Sequence, residues 1–181
     1  MNEKLINKAF LFTSKYFIES CHNDGKPVYF HCVKVAMKLR DLGYDEKYIV
    51  AGILHDLVED TDCTLEDIAN EFGQEMADLI AAVSFNPEIE DRFEQSKQMI
   101  DAAVEYGKDA LIIKAVDMYE NGLFFHLVQK LDVKEYLVKK YAYFLNIAQK
   151  YIADEPAFEL YKQGTSSIKL TKEEESQLKA N

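Results

Sequence analysis

The chain has 181 residues and a formal net charge of −11, and 48% of its residues are hydrophobic. This length is most simply one domain with a sizeable hydrophobic core. The acidic balance argues against binding of nucleic acid or of an anionic membrane surface, because both require a basic face. A small phosphorylated substrate is still compatible with it, since a divalent ion and a few local lysines can offset the negative field.

The apolar residues recur with helical periodicity, and no segment shows the alternation of a half-buried strand. Only seven glycines and three prolines interrupt this pattern. We therefore predict an all-α, single-domain helical bundle. The predicted helices, in chain order, lie at about 3–20, 30–42, 45–58, 64–72, 74–83, 88–106, 109–127 and 133–152.

Two local signals mark breaks between these helices. A loop is predicted at 21–29, where Asn23-Asp24-Gly25 and Pro27 disfavour a helix. Thr64 and Asp67 have the spacing of a helix N-terminal cap, which predicts the start of a short helix.

The end of the chain differs in composition from the rest. After Gly164 it is rich in Lys and Glu, and we expect a solvated tail with a short terminal helix. The predicted organisation is a domain at residues 1–162 followed by a polar tail at 163–181. Three cysteines without C-x-x-C spacing, no secretory signal pattern and no apolar run near the ~20 residues of a membrane span favour a cytoplasmic protein with reduced thiols.

The most informative segment is the run Leu54 to Thr61, which places His55 and Asp56 among apolar residues. On a continuous helix, His55 lies over Glu59 and Asp56 lies over Asp60. Four ionisable groups on a largely apolar helix are costly to desolvate, and a bound metal ion would offset that cost. The alternative is a solvated helix end with its acids in water, but a His-Asp pair embedded in apolar residues favours the metal.

Further ligands for such an ion come from two other predicted helices. His31 lies on the apolar second helix, and Asp117 follows a buried apolar run. Taken alone, each could be a core histidine or an ion-pair aspartate. Together, His31, His55, Asp56 and Asp117 offer mixed imidazole and carboxylate ligation, which suits Mn²⁺, Fe²⁺, Co²⁺, Ni²⁺ or Zn²⁺.

This arrangement resembles the H…HD…D signature of the HD-domain metal-dependent phosphohydrolases. It is most similar to the (p)ppGpp hydrolase branch, which includes the RelA/SpoT hydrolase domain and the MESH-type small alarmone hydrolases. The resemblance covers roughly residues 8 to 150. Its motifs are HD-x-x-ED-T at 55–61, a Thr-led segment at 64–68 with Phe72-Gly73, G-x-P before His31, and K-x-x-D-x-x-x-N at 114–121.

The resemblance implies an HD-type helical bundle and the hydrolysis of the 3′-pyrophosphate of guanosine alarmones to GDP or GTP and pyrophosphate. It also implies one divalent ion per chain, with Mn²⁺ favoured, held by the four ligands above. The expected partner is a small phosphorylated nucleotide.

Two acidic residues are predicted to be catalytic. Glu59 and Asp60 would project one turn beyond the ligands, towards the mouth of the site, where they suit general acid/base work or orientation of water. Acids at a helix C-terminus oppose the helix dipole. Their placement is therefore locally unfavourable, which favours a functional role over a structural one.

Substrate-binding roles are predicted for a second set of side chains: Asn121, Lys114, Lys26, His22 and Tyr141. Each has a structural alternative. Asn121 could end a helix, Lys114 could pair with a nearby acid, and Tyr141 could serve packing. The two loop residues could simply be exposed.

The loop before the first ligand departs from the family pattern. A basic pair and a small hydroxyl residue are expected just before Gly25, where this chain has His22, Asn23 and Asp24; Val28 replaces an expected aromatic residue. Substrate identity is therefore more open than reaction type. The alternatives are an HD phosphohydrolase of another small nucleotide or phosphoester, and a non-catalytic metal- or nucleotide-binding module, against which the intact acidic pair speaks.

Overall fold

The computed structural model describes residues 2–19 and 28–180, whose secondary structure is helical, without a strand. The predicted all-α fold is confirmed. The α-helices, in chain order, are α1 Glu3–Glu19, α2 Val28–Asp41, α3 Glu46–Leu54, α4 Leu57–Asp60, α5 Leu65–Phe72, α6 Gln74–Val83, α7 Arg92–Tyr106, α8 Lys108–Gly122, α9 Leu131–Tyr151, α10 Pro156–Thr165 and α11 Lys172–Ala180.

Helix α8 lies at the centre of the bundle and packs against α2, α3, α6, α7, α9 and α10. Every residue from Ala110 to Met118 is buried, including Lys114 and Asp117. A helix that is covered on all sides needs apolar residues around its whole circumference, which explains the run Leu111-Ile112-Ile113. The charged residues of α8 are therefore placed inside the protein, where they require partners.

The helix predicted at 45–58 is interrupted, and this part of the prediction is wrong. Helix α3 begins after Asp45, whose side chain accepts a hydrogen bond from the backbone of Lys47, and it ends at Leu54. His55 and Asp56 form a turn before the single-turn helix α4. The stacking of His55 over Glu59 on a continuous helix therefore does not apply. Asp56 and Asp60 do remain one turn apart, because the backbone N–H of Asp60 donates to the carbonyl oxygen of Asp56 at 3.0 Å.

Other boundaries differ by smaller amounts. Helix α2 begins at Val28, two residues earlier than predicted. Helix α7 begins only at Arg92, because Asp91 caps its first turn. Helix α8 ends at Gly122 and is followed by a 3₁₀ turn at Phe125–Leu127, so the helix predicted to 127 was too long. The capping box of Thr64 and the helix Gln74–Val83 are confirmed.

The C-terminal segment contacts the bundle at more than one point. Helix α10 packs against α8 and extends to Thr165, across the division predicted at residue 163. Ile168 packs on the core, and Lys134 of α9 pairs with Glu174 of α11 at 2.5 Å. The two-part organisation stays a prediction. In the part of the chain that the structure describes, no helix is long and apolar enough to cross a membrane.

Helices α2 and α3 approach each other most closely at Gly52. A Cβ atom at this position would lie 2.8 Å from Cδ1 of Leu39 and 3.2 Å from the backbone of Ala36. The absence of a side chain thus sets the spacing between the helix that carries His31 and the helix that ends at His55.

We predict that Gly52→Ala destabilises the protein by about 1–3 kcal/mol through overpacking, measured as a lower urea midpoint with an unchanged m-value. Alanine is otherwise favoured over glycine inside a helix by about 1 kcal/mol. A more stable variant would show that the two helices have room to separate.

Candidate metal centre

The four predicted ligands come together from three parts of the bundle. His31 projects from α2, His55 and Asp56 lie at the turn between α3 and α4, and Asp117 comes from α8. Nε2 of His31 lies 3.0 Å from Oδ1 of Asp117, and Nε2 of His55 lies 3.0 Å from Oδ1 of Asp56. The longer separations, His55 to Asp117 and His31 to Asp56, are 3.6 and 3.7 Å. All four residues are buried.

The turn at His55 fixes which ring nitrogen faces the acids. Nδ1 lies 2.9 Å from the carbonyl oxygen of Gly52, which can only accept a hydrogen bond, so Nδ1 carries a proton. Nε2 is buried and has no hydrogen-bond partner; its approach to Asp56 lacks hydrogen-bond geometry. A neutral imidazole in this tautomer would direct a lone pair at carboxylates, which is unfavourable unless a cation lies between them.

The donor set therefore fits a divalent ion. Two donors at right angles, each about 2.1 Å from an ion, are about 3.0 Å apart, which matches the two short separations, both 3.0 Å. One ligand atom from each of His31, His55 and Asp117 can be chosen so that all three lie within 4.8 Å of one another. The backbone carbonyl at Gly52 orients the ring of His55, as is usual for metal-binding histidines.

Without an ion, the carboxylates act on the imidazole of His55. Burial disfavours its charged form, but the negative charge of Asp56 and the nearby carboxylate of Asp117 raise the pKa of His55 well above its ordinary value. Burial likewise opposes ionisation of Asp56, yet His55 holds the pKa of Asp56 below its usual range. The pair thus favours a positive charge at this point of the core.

Asp117 is held by three neighbours. Lys114 pairs with Oδ2 at 2.8 Å, Asn121 donates to Oδ1 at 2.6 Å, and His31 lies beside the same oxygen. Burial opposes ionisation, but the ammonium of Lys114 and the hydrogen bonds keep the pKa of Asp117 well below its usual value. Asn121 and Lys114, predicted as substrate contacts, therefore also position a ligand.

Lys114 is itself buried and donates to the carbonyl oxygen of Val83 at 3.3 Å. Burial would lower the pKa of its ammonium, but Asp117 and Glu59 raise it above the ordinary value. The pairing predicted as the alternative for Lys114 is thus present. Its charge offsets part of the negative charge of the centre.

A cavity of about 220 Å³ is lined by two of the four predicted ligands, Asp56 and Asp117. Six of its lining residues belong to the predicted site: Asp56, Glu59, Asp60, Lys114, Asp117 and Asn121. The predicted catalytic acids therefore face the same space as the ligands. The remaining lining residues come mainly from α7 and α9.

Glu59 combines partial burial with an anchored carboxylate. Its Oε1 accepts a hydrogen bond from the backbone N–H of Phe85 at 2.9 Å. Desolvation, opposed by Lys114 and reinforced by Asp56, raises the pKa of Glu59 to about 7. A carboxyl group with this pKa can both accept and release a proton near neutral pH.

Of the other predicted substrate residues, only Tyr141 lies in the described part of the chain. Tyr141 is buried, donates its hydroxyl to the carbonyl oxygen of Met118 at 2.8 Å, and does not line the cavity next to the ligands. This position agrees with the alternative role given for Tyr141, which was packing. His22 and Lys26 lie outside the described residues.

Sequence reasoning missed the wall of the cavity formed by α7 and α9. Ser96 and the hydroxyl of Tyr136 are hydrogen bonded at 2.7 Å, and Gln95 and Lys140 line the same wall. Tyr136 and Lys140 are four residues apart and so share a helix face. That spacing was a visible signal, but nothing in the sequence showed which face of α9 meets the ligands.

Comparison with known proteins agrees with this geometry. A family model described as HD domain matches residues 9–109, more than half of the chain. The chain is 32% identical over 118 residues to a guanosine-3′,5′-bis(diphosphate) 3′-pyrophosphohydrolase of Aquifex aeolicus, and 37% identical over 123 residues to a probable enzyme of that name from Synechocystis. The matches cover 64% and 65% of this chain but only 17% and 16% of those proteins.

Solved structures share the fold. A metazoan ortholog of SpoT, described as hydrolysing ppGpp, superposes with a TM-score of 0.70 at 20% identity, covering 91% of this chain and 93% of that one. The protein lmo0812 from Listeria monocytogenes EGD-e superposes with a TM-score of 0.64 at 25% identity, covering 80% and 98%. From the match over residues 9–109 and the convergence of His31 with the His55-Asp56 pair, the chain belongs to the HD domain family.

Proposed function

We propose that this protein is a metal-dependent phosphohydrolase that removes the 3′-pyrophosphate of (p)ppGpp, leaving GDP or GTP and releasing pyrophosphate. The observation that carries the proposal is the set of contacts among two imidazoles and two buried carboxylates, beside a cavity that is also lined by Glu59 and Lys114. The names of the similar enzymes support the substrate class. A nucleotide of this kind would be encountered in the cytoplasm.

His31, His55, Asp56 and Asp117 would hold one divalent ion, which we propose to be Mn²⁺. Mixed nitrogen and oxygen ligation with further positions open is compatible with this ion. When bound, such an ion supplies a more acidic water and neutralises charge on a phosphoryl group. The ligand geometry is maintained by the chain itself, through the carbonyl of Gly52 and the contacts of Asp117.

Glu59 is the proposed general base. Its carboxylate faces the cavity and is anchored by the N–H of Phe85. The base would take a proton from water as the water oxygen bonds to phosphorus and the bond from phosphorus to the 3′ oxygen breaks. A proton must reach that leaving oxygen, and Asp60, at the same wall, is the proposed group for this transfer.

The α9 wall is proposed to bind the diphosphate. The ammonium of Lys140 and the hydroxyl of Tyr136 line the cavity, where they can donate to phosphate oxygens, with Asn121 on the opposite side. The volume of about 220 Å³ is below the ~300–1,000 Å³ of pockets that enclose a whole ligand. We therefore propose that the diphosphate binds inside the cavity and the nucleoside at its mouth.

A second candidate is an HD phosphohydrolase of another small nucleotide. It is favoured by the acidic and amide residues Asn23 and Asp24 at the loop where the family carries a basic pair. The same metal centre would serve either reaction. Only the group bound at the cavity mouth would differ.

The proposed function is tested by measuring pyrophosphate release from ppGpp with Mn²⁺, alongside phosphate release from a panel of nucleotides. We predict that Asp56→Asn weakens metal binding and abolishes turnover.

We predict that Glu59→Gln keeps the metal, measured by calorimetry, and loses about 10²–10⁴-fold in kcat. Glu66→Gln, an exposed acid of α5, is the matched control and should behave as wild type.

Turnover of other nucleotides without ppGpp hydrolysis would select the second candidate. Tight metal binding without turnover of any phosphoester would leave a binding module. Full activity of the Glu59 variant would remove its role as base.

Lys140 gives a test of the α9 wall. Lys140→Met should raise KM for the substrate by roughly tenfold through loss of one charge-assisted hydrogen bond, with metal affinity unchanged. The adjacent Lys139, which is exposed and pairs with Glu135, provides the control, and Lys139→Met should leave KM as it is. If both substitutions raised KM equally, the increase would reflect only the overall positive charge of this surface and not a contact between Lys140 and the substrate.

The raised pKa of Glu59 has a consequence for stability in the metal-free protein. Between the ordinary value of 4.5 and about 7, the unfolded chain loses the Glu59 proton while the folded chain keeps it, so stability falls as pH rises. Relative to wild type, Glu59→Gln should therefore gain on the order of 2 kcal/mol on going from about pH 4.5 to about pH 8. The free energy of unfolding of both proteins is measured with urea in the presence of a chelator. If the difference between the two proteins does not change with pH, the pKa of Glu59 is not raised by desolvation.

A further inference from the structure

A buried thiol lies beside Asp56, one of the predicted metal ligands. Cys32 follows the ligand His31 on α2 and is fully buried. Its Sγ lies 3.9 Å from Oδ2 of Asp56. One ligand atom each from Cys32, His55 and Asp56 can be chosen so that all three lie within 4.8 Å of one another.

The second observation is Nε2 of His55. This nitrogen is buried, has no hydrogen-bond partner, and belongs both to the set with Cys32 and to the set with His31 and Asp117. Its other ring nitrogen is used by the carbonyl of Gly52. Nε2 of His55 can therefore bind one ion at a time, either with His31 and Asp117 or with Cys32 and Asp56.

We propose that Cys32, His55 and Asp56 form a second, thiophilic ligand set, which binds Zn²⁺ or Co²⁺ through the sulfur of Cys32. The inference rests on the metal centre of the proposed function and extends it to metal selection. Thiolate, imidazole and carboxylate are the ligands that Zn²⁺ takes in tetrahedral sites, with water as a fourth. Binding replaces the S–H bond by a sulfur–metal bond and releases the proton to solvent.

The separations support a ligand role for the sulfur. Sulfur and oxygen ligands about 2.3 and 2.1 Å from a tetrahedral ion are about 3.6 Å apart, and the observed distance is 3.9 Å. A side-chain adjustment of a few tenths of an ångström is sufficient. In the metal-free protein the thiol of Cys32 donates a weak hydrogen bond to Oδ2 of Asp56, and an ion bound by both groups would replace this hydrogen bond.

Two ligand sets that share His55 and Asp56 cannot be filled independently. A hard ion such as Mn²⁺ prefers the nitrogen and oxygen donors towards Asp117, whereas a soft ligand such as Cys32 selects thiophilic ions. Zn²⁺ is thus drawn towards α2, and it displaces Mn²⁺ rather than joining it. The expected consequence is competitive inhibition of the Mn²⁺-dependent activity by Zn²⁺.

The test is the absorption spectrum of the full-length protein with one equivalent of Co²⁺ under anaerobic, reducing conditions. A thiolate ligand produces an intense sulfur-to-cobalt charge-transfer band in the near ultraviolet, whereas nitrogen and oxygen ligands give only weak visible bands. We expect the band in wild type and its loss in Cys32→Ser. Cys63→Ser is the matched control and should retain it.

Zinc and manganese affinities provide a second readout, measured by competition with a chromogenic chelator. Cys32→Ser and Cys32→Ala should weaken Zn²⁺ binding by roughly 10–100-fold and leave Mn²⁺ binding unchanged. Absence of the band in wild type, its persistence in Cys32→Ser, or an equal loss of both affinities would overturn the proposal. Hydrolysis of ppGpp by a protein without the band would leave the proposed function intact, so the two can fail separately.

Discussion

The structure depends on how negative charge is compensated inside the bundle. Asp56 and Asp117 are buried beside each other, Glu59 lies at the adjoining cavity, and Lys114 is the buried ammonium that faces them. An uncompensated carboxylate in a protein interior is strongly destabilising. A divalent ion held by the predicted ligands would supply the missing charge. In the metal-free protein burial opposes protonation of His55, but the neighbouring carboxylates raise its pKa well above the ordinary value.

This requirement explains the interrupted helix. A continuous helix over 45–58 would keep the carbonyl of Gly52 in the backbone ladder, whereas the turn at His55 frees this oxygen to accept from the imidazole. The break therefore orients one ligand and brings the next residue to the same centre. Sequence periodicity could not reveal it, because neither Gly nor Pro marks the break and both neighbouring residues keep helical dihedral angles.

The sequence was sufficient for features that depend on local chemistry. The capping box of Thr64 and Asp67 and the buried helix around Asp117 both follow from residue types at short spacing. The sequence was insufficient where tertiary packing determines which face of a helix meets its neighbours. Tyr136 and Tyr141 lie on the same helix with similar surroundings in sequence, yet packing of α9 on α7 and α8 turns the first to the cavity and the second into the core.

The predicted metal centre and the cavity wall formed by α7 and α9 thus tolerate substitution to different degrees. The predicted ligands lie on α2, at the α3–α4 turn and on α8. All four are buried and in contact with one another, so the loss of one would leave a buried charge without its partner. Lys140 and Gln95 lie on partly exposed faces, where a substitution changes little in the packing. The proposed hydrolytic step therefore depends on the part of the protein least able to change, whereas the choice of nucleotide depends on a surface that can vary without loss of the fold.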